Sequence, residues 1–210
     1  FRQLIEENRE RYTQFVIIPH FYTQFCDAQA VINQIPSEQL LLLDKCLPGI
    51  QGDVACVYQD FEDNIYQALS QAAGLLKKYE TLKLIFPAHS YQPREIIKGF
   101  QRFAIERGFK GKLVPDIQRE PLQAGEAYIT MMEEDLVALV QKIRASGLEA
   151  GREIGILSYN DHPLKEVLLD GITVMTTDFK QLGIRAAELI LKGERKQVRN
   201  AFELIIRNSL

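Results

Sequence analysis

Three positions in this sequence combine hydrogen-bonding side chains with a place where ligands gather in parallel α/β proteins. Asp60 closes the apolar run VACVYQD, His89 follows LKLIFPA, and Asn160 and Asp161 end EIGILSYND. A side chain directly after such a run stands at the carboxyl edge of its sheet, outside the core. Carboxylates and amides placed there accept hydrogen bonds from hydroxyl groups, and each charge-assisted bond contributes about 1.5–3 kcal/mol. Phe21, Tyr22 and Tyr91 also follow strand runs, and an aromatic face at that edge covers the apolar atoms of a sugar ring. Each position has a plainer alternative. Asp60 could cap the next helix, Asn160 and Asp161 before Pro163 could form only a turn, and the aromatics could pack on their own lobe. His20, His89 and His162 could be solvated loop residues.

Other chemistry lacks its residues. The three histidines are far apart and form no HxxxH or Cys/His cluster, so no metal site is expected. No GxGxxG, GxxxxGK[ST] or GxSxG occurs, which removes the dinucleotide, P-loop and hydrolase-elbow fingerprints; neither a cofactor nor an enzyme activity is expected. Glu133, Glu134 and Asp135 read as the acidic start of a helix, stabilised by its dipole. Lys plus Arg total 25 against 28 Asp plus Glu, a balance that gives no broad basic face for a polyanion. Any DNA contact then belongs to another part of the protein. Cys46 and Cys56 lie in apolar runs where reduced cysteines would pack as small hydrophobes, and with Cys26 the count is odd; a cytoplasmic location fits. No stretch approaches the roughly 18 apolar residues of a membrane span. The chain opens at Phe1 without an initiator Met, so upstream sequence is expected to precede it.

The elements that must position these residues are legible. Apolar runs at 14–20, 40–46, 54–60, 82–88, 111–116, 127–132, 153–161 and 172–178 alternate with segments of helical period, and 201–209 reads as a last strand. Continuous rather than alternating apolar strands indicate parallel sheets flanked by helices on both faces, an α/β fold. Helices are expected over 62–78, from Pro93 to Gly108, from Glu133 to Gly147, and from Asp178 to Gly193, where Asp178 and Gln181 resemble a capping box.

Several segments then resemble one family. REIIKGFQRFAIERGF (94–109) is similar to the R-x-x-GF-x-x-A-x-x-x-x-G helix of LacI-type effector domains, and EIGILSYND resembles their strand ending in GFDD or GYDD. GITVMTTDFKQLGIRAAELIL and ELIIRNS resemble their closing helix and strand. The wording of GILSYNDHPLKEVLLDGITVMTTDF is nearest to Bacteroides-like regulators that join this sensor to a GntR-type winged helix. The resemblance implies a two-lobed, periplasmic-binding-protein-like fold with interlobe crossovers, a sugar-like effector held between the lobes, and a homodimer acting on operator DNA. One lobe would hold 1–79 and 178–196, and the other 80–177 and 197–210. An initial strand-helix-strand portion and the DNA-binding module would lie outside this chain. The alternative is the sugar-binding component of a transport system.

Carried over by residue, Asp60 resembles the acidic residue after the third central strand of the first lobe. Asn160 or Asp161 resembles the acidic contact of GFDD, and Glu134 falls where a polar contact opens a helix. The Arg that commonly precedes GF by three residues is replaced by Ile96, with Arg94 two residues earlier. The effector-binding set expected from residues and resemblance together is Asp60, Asn160, Asp161, Glu134, His89, Tyr91, Arg94 and Phe21.

Overall fold

An apolar strand buried on both faces needs helices above and below its sheet, and the computed structural model, which describes residues 1–21, 27–88 and 90–210, meets that demand twice. Two units are formed, Phe1–Asp60 with Asp178–Ala201 and Phe61–Thr177 with Phe202–Leu210. The first begins with α1 (Arg2–Asn8), β1 (Phe15–Ile17), α2 (Asp27–Ile32), β2 (Leu40–Asp44) and β3 (Ala55–Tyr58). The second follows with α3 (Phe61–Leu76), β4 (Thr81–Ile85), α4 (Glu95–Arg107), β5 (Lys110–Val114) and β6 (Glu126–Thr130). It continues through α5 (Glu133–Ser146), β7 (Ile154–Tyr159), α6 (Pro163–Val167) and β8 (Thr173–Thr177). The chain returns to the first unit as α7 (Phe179–Lys192) and β9 (Gln197–Arg199), then ends in the second as β10 (Phe202–Ile205).

In the first unit four strands run in the order β1-β2-β3-β9, all parallel. Leu40, Leu42 and Cys56 face a core with Val31 and Ile32 of α2, whereas Leu41, Ala55 and Val57 face Leu182, Ala186 and Leu189 of α7. The second unit has six strands in the order β10-β8-β7-β6-β4-β5, parallel except that β10 runs antiparallel to β8. Every residue of β6, β7 and β8 is buried. Ala127, Ile129, Leu157 and Met175 point toward α3 and α4, and Tyr128, Ile154, Ile156 and Val174 toward α5. The two-residue alternation of the pleat thus serves two helical layers. Lys83, the one charge in LKLI, is compensated by Glu120 at 2.6 Å and Glu126 at 2.5 Å.

The helices follow their sequence stripes. In α4, Ile96, Phe100, Phe103 and Ala104 are buried, and Gly108 closes the helix at φ 73°. A Cβ at Gly99 would collide with the Glu62 carbonyl oxygen and the Ile65 side chain, so the glycine of the GF pair is what lets α3 and α4 approach. Asp178 caps α7 by accepting from the Gln181 N–H at 2.8 Å.

Three expectations are revised. The first crossover comes at Asp60/Phe61 instead of after residue 79, because α3 buries Ile65, Leu69, Ala72 and Leu76 in the core that it shares with α4. The later boundary moves from 196 to 201, since Gln197–Arg199 forms β9 and pairs with β3. Cys46 and Cys56 are joined in a disulfide with Cα atoms 6.1 Å apart, not packed as separate thiols: the turn after β2 returns Cys46 beside the strand that carries Cys56.

Candidate functional site

β7 ends at a corner defined by hydrogen bonds. Asn160 adopts the left-handed conformation, φ 59°, one that a non-glycine residue holds only when its surroundings fix it. Its N–H donates to the Met175 carbonyl at 2.8 Å. The next N–H, of Asp161, donates to Thr176 Oγ1 at 2.9 Å, so β8 pins the turn at two successive residues. The Asn160 carbonyl accepts from Lys165 Nζ at 2.8 Å. The Asn160 Oδ1 atom is buried and accepts no hydrogen bond.

The neighbouring carboxylate is occupied differently. Arg207, which follows β10, holds both oxygens of Asp161 in a bidentate pair at 2.9 and 2.7 Å. It also donates to the Ile172 carbonyl at 2.9 Å. The Arg207 guanidinium keeps the Asp161 carboxyl below the usual carboxylate range, outweighing the opposing effect of burial. Asp161 is therefore ionised and anchored, while Asn160 is the member of the pair with an unused acceptor. Beside them His162 caps α6, its Nδ1 accepting from the Leu164 N–H at 3.3 Å.

The rest of the expected set in this unit is spread over the neighbouring strand ends. Glu134 is exposed in the first turn of α5. With Gln118, Val137 and Gln141 it lines an open depression of about 340 Å³. Tyr91 is 57% exposed. Arg94 is exposed where α4 starts and makes no side-chain cap. His89 lies outside the described residues, as does Tyr22.

In the first unit His20 meets Asp44 at the end of β2, and Asp60 follows β3. His20 Nε2 and Asp44 Oδ2 are 2.6 Å apart, at 23% and 20% side-chain exposure. Asp44 is left-handed at φ 74°, and its carbonyl accepts from the Gln59 N–H at 2.9 Å. Asp60 stands 3.8 Å from Arg199 with both side chains more than two-fifths exposed. Phe21 packs on Phe1, ring centroids 5.1 Å apart, at the edge of the α2 core.

Asp44, Thr176, Lys165 and Arg207 escaped the sequence reading. Asp44 could have been found, for it ends LLLLD as Asp60 ends VACVYQD. Arg207 stands in a matched motif, but nothing in the sequence says that its partner is Asp161, 46 residues away. Among the described residues no group of three or more His, Cys, Asp or Glu is placed to hold a metal ion, and no helix is long and apolar enough to cross a membrane.

Over residues 54–210 the sequence matches the family described as periplasmic binding protein-like domain. No curated protein matches the sequence. Among solved structures, a LacI family transcriptional regulator from Enterococcus faecium with bound ribose is similar at a TM-score of 0.77 and 19% identity, over 99% of this chain and 82% of that one. A probable maltose operon transcriptional repressor from Staphylococcus aureus is similar at 0.77 and 16%, over 99% and 80%. The Lac repressor bound to ONPG in its repressed state is similar at 0.78 and 16%, over 100% and 68%.

Proposed function

Because the chain belongs to the periplasmic binding protein-like domain family, we propose that it is the ligand-sensing domain of a bacterial transcription regulator and not an enzyme. The observation that carries this reading is the corner at Asn160, where a fixed backbone holds a buried oxygen without a donor. Such an atom is complementary to a hydroxyl or amide N–H of a ligand. The first unit offers Asp44 and Asp60 at the carboxyl ends of its own strands. The effector is a small, neutral, hydroxyl-rich molecule such as a sugar. The Enterococcus faecium regulator described with bound ribose lends support to that class. Asp60 and Asn160 are the principal contacts, Asp161 anchors the turn, and Glu134, His89, Tyr91, Arg94 and Phe21 complete the proposed set.

The wider assignment rests on sequence likeness and charge. With a net charge of -3, DNA affinity is assigned to an N-terminal head of the GntR winged-helix type, acting in a cytoplasmic homodimer. Effector binding shifts the equilibrium between states of the dimer that differ in operator affinity.

One observation favours a second reading, the sugar-binding component of a transport system: the Cys46–Cys56 disulfide is a bond that persists in oxidising compartments. Anisotropy titration with duplex DNA from the region upstream of the gene, at about 0.15 M salt, separates the two. The intact protein is expected to bind with sequence preference that sugars alter, and this chain alone to show none. A sequence preference in the isolated chain would overturn the assignment to a separate head. An intact protein without DNA affinity supports the transport reading.

A further inference from the structure

Lys165 is 2% exposed, and the ammonium group has three protons to place. All three have acceptors. Nζ lies 3.1 Å from the Tyr159 carbonyl, 2.8 Å from the Asn160 carbonyl and 2.8 Å from Glu133 Oε1. Its charge is thus spent at the end of β7, and none of it is presented to a ligand. The other deeply buried lysine, Lys83, is neutralised by two carboxylates. Among the described residues Lys165 has a direct ion pair with Glu133, whose side chain is 64% exposed, and its charge also acts on the Asp161 carboxylate; its remaining bonds go to backbone carbonyls at a strand end. A buried cation is costly where it serves packing alone, because an apolar side chain of similar volume stabilises as well or better.

We infer that Lys165 is a positioning residue, which holds Asn160 in its left-handed conformation and so sets the direction of the unpaired Oδ1 acceptor. The mechanism is local. The Tyr159 and Asn160 carbonyls are drawn to one ammonium group, which fixes the peptide planes on both sides of the Asn160 Cα. The Asn160 and Asp161 N–H groups are tied to β8 from the other direction. With φ fixed at 59°, the side chain leaves the backbone in one direction only. Because the cation is consumed internally, the corner selects a hydrogen-bond donor on the ligand over an anionic group. This selectivity rests on the effector site proposed above; the positioning role does not.

The test uses the full 210-residue chain as wild type, Lys165→Met and Lys165→Arg, with thermal unfolding as the check on folding and D-ribose as the probe. Backbone N–H couplings and carbon shifts of Asn160 in solution NMR report its φ, and calorimetry reports ribose affinity. In Lys165→Met, Asn160 is expected to leave the left-handed region, with a loss of ribose affinity of about tenfold, the worth of one well-placed hydrogen bond. Lys165→Arg, which keeps the donors, should restore both. An Asn160 signature unchanged in a folded Lys165→Met protein overturns the positioning role. A changed signature with unchanged ribose affinity overturns the link from Lys165 to the site. A wild type that binds no ribose, with a signature that still responds to Lys165→Met, counts against the neutral-sugar reading and supports the positioning role. Should Lys165→Met fail to fold, Lys165→Gln removes the charge and shortens the reach to the two carbonyls while keeping a polar side chain; an Asn160 signature unchanged in that folded protein overturns the proposal.

Discussion

Around Asn160 in the second unit, backbone groups are held by Met175, Thr176 and Lys165, and the adjacent carboxylate by two bonds from Arg207. At the strand ends of the first unit His20 and Asp44 are 2.6 Å apart, and Asp60 and Arg199 are 3.8 Å apart. The strands differ in the same sense. β6, β7 and β8 are buried along their whole length, whereas β1 has three residues and only Ile17 is buried. A ligand that meets a fixed acceptor loses little affinity to ordering it, while one that meets an exposed carboxylate must immobilise a side chain at a cost of about 0.5–1.5 kcal/mol. The strand ends of the second unit are thus held by fixed hydrogen bonds, and those of the first carry a half-exposed carboxylate at Asp60.

The contrast breaks most readily at Arg207. Its removal leaves the Asp161 carboxylate and the Ile172 carbonyl without their shared donor, so Arg207→Ala is expected to lower unfolding free energy by about 3 kcal/mol, read from urea midpoints. A loss near zero would mean that the corner is not held by this pair. In the first unit the corresponding restraint is covalent. Replacing both Cys46 and Cys56 by Ser, a change that opens a short loop, should cost about 2–3 kcal/mol. Hydrogen exchange should rise in residues 40–58 and stay unchanged in 154–177; a rise in both would contradict separate restraint of the two regions.

The pH dependence sharpens the same point with a smaller effect. The folded-state pKa of Asp161 is depressed by Arg207, below an unfolded value of about 3.9. Its contribution is therefore fully present above the unfolded value and is lost as pH falls through the folded one. Thermal melts of the wild type and Asp161→Asn should converge as the solution is acidified below about pH 4; parallel curves would place the titrating group elsewhere. The smallest effect belongs to the pair of Asp60 and Arg199. Asp60→Ala should change stability by no more than about 1 kcal/mol, because the side chains of Asp60 and Arg199 are both more than two-fifths exposed and solvent screens the pair.

Much of this contrast could be read in the sequence. Uninterrupted apolar runs indicated parallel sheets, and stripes ending at Gly108, Gly147 and Gly193 marked three helices whose last residues are capped in the left-handed region. Position was legible too, for Asp60, Asn160 and Asp161 all stand at strand ends. Occupancy was not. The sequence does not say which carboxylate meets Arg207, because that pair joins residues 46 apart. Nothing in HPLKEV marks Lys165 as buried, and its burial comes with the turn of α6. Assignment of α3 to a unit depended on Gly99, where the missing side chain admits a close helix contact that periodicity alone does not reveal. The disulfide was missed because spacing in two apolar runs says nothing about how the intervening turn folds back.

Binding of a neutral, hydroxyl-rich molecule through acceptors at the strand ends, as proposed above, is measured by calorimetry. Neutral sugars, sugar acids and sugar phosphates are titrated into the intact protein as wild type, Asp60→Ala and Asn160→Ala, with thermal unfolding confirming that each is folded. A neutral sugar is expected to bind the wild type. Asp60→Ala should weaken it by roughly 2–3 kcal/mol, about 30- to 150-fold, and Asn160→Ala should weaken it by about tenfold. Equal affinity in all three folded proteins, or binding confined to acids and phosphates, would contradict it.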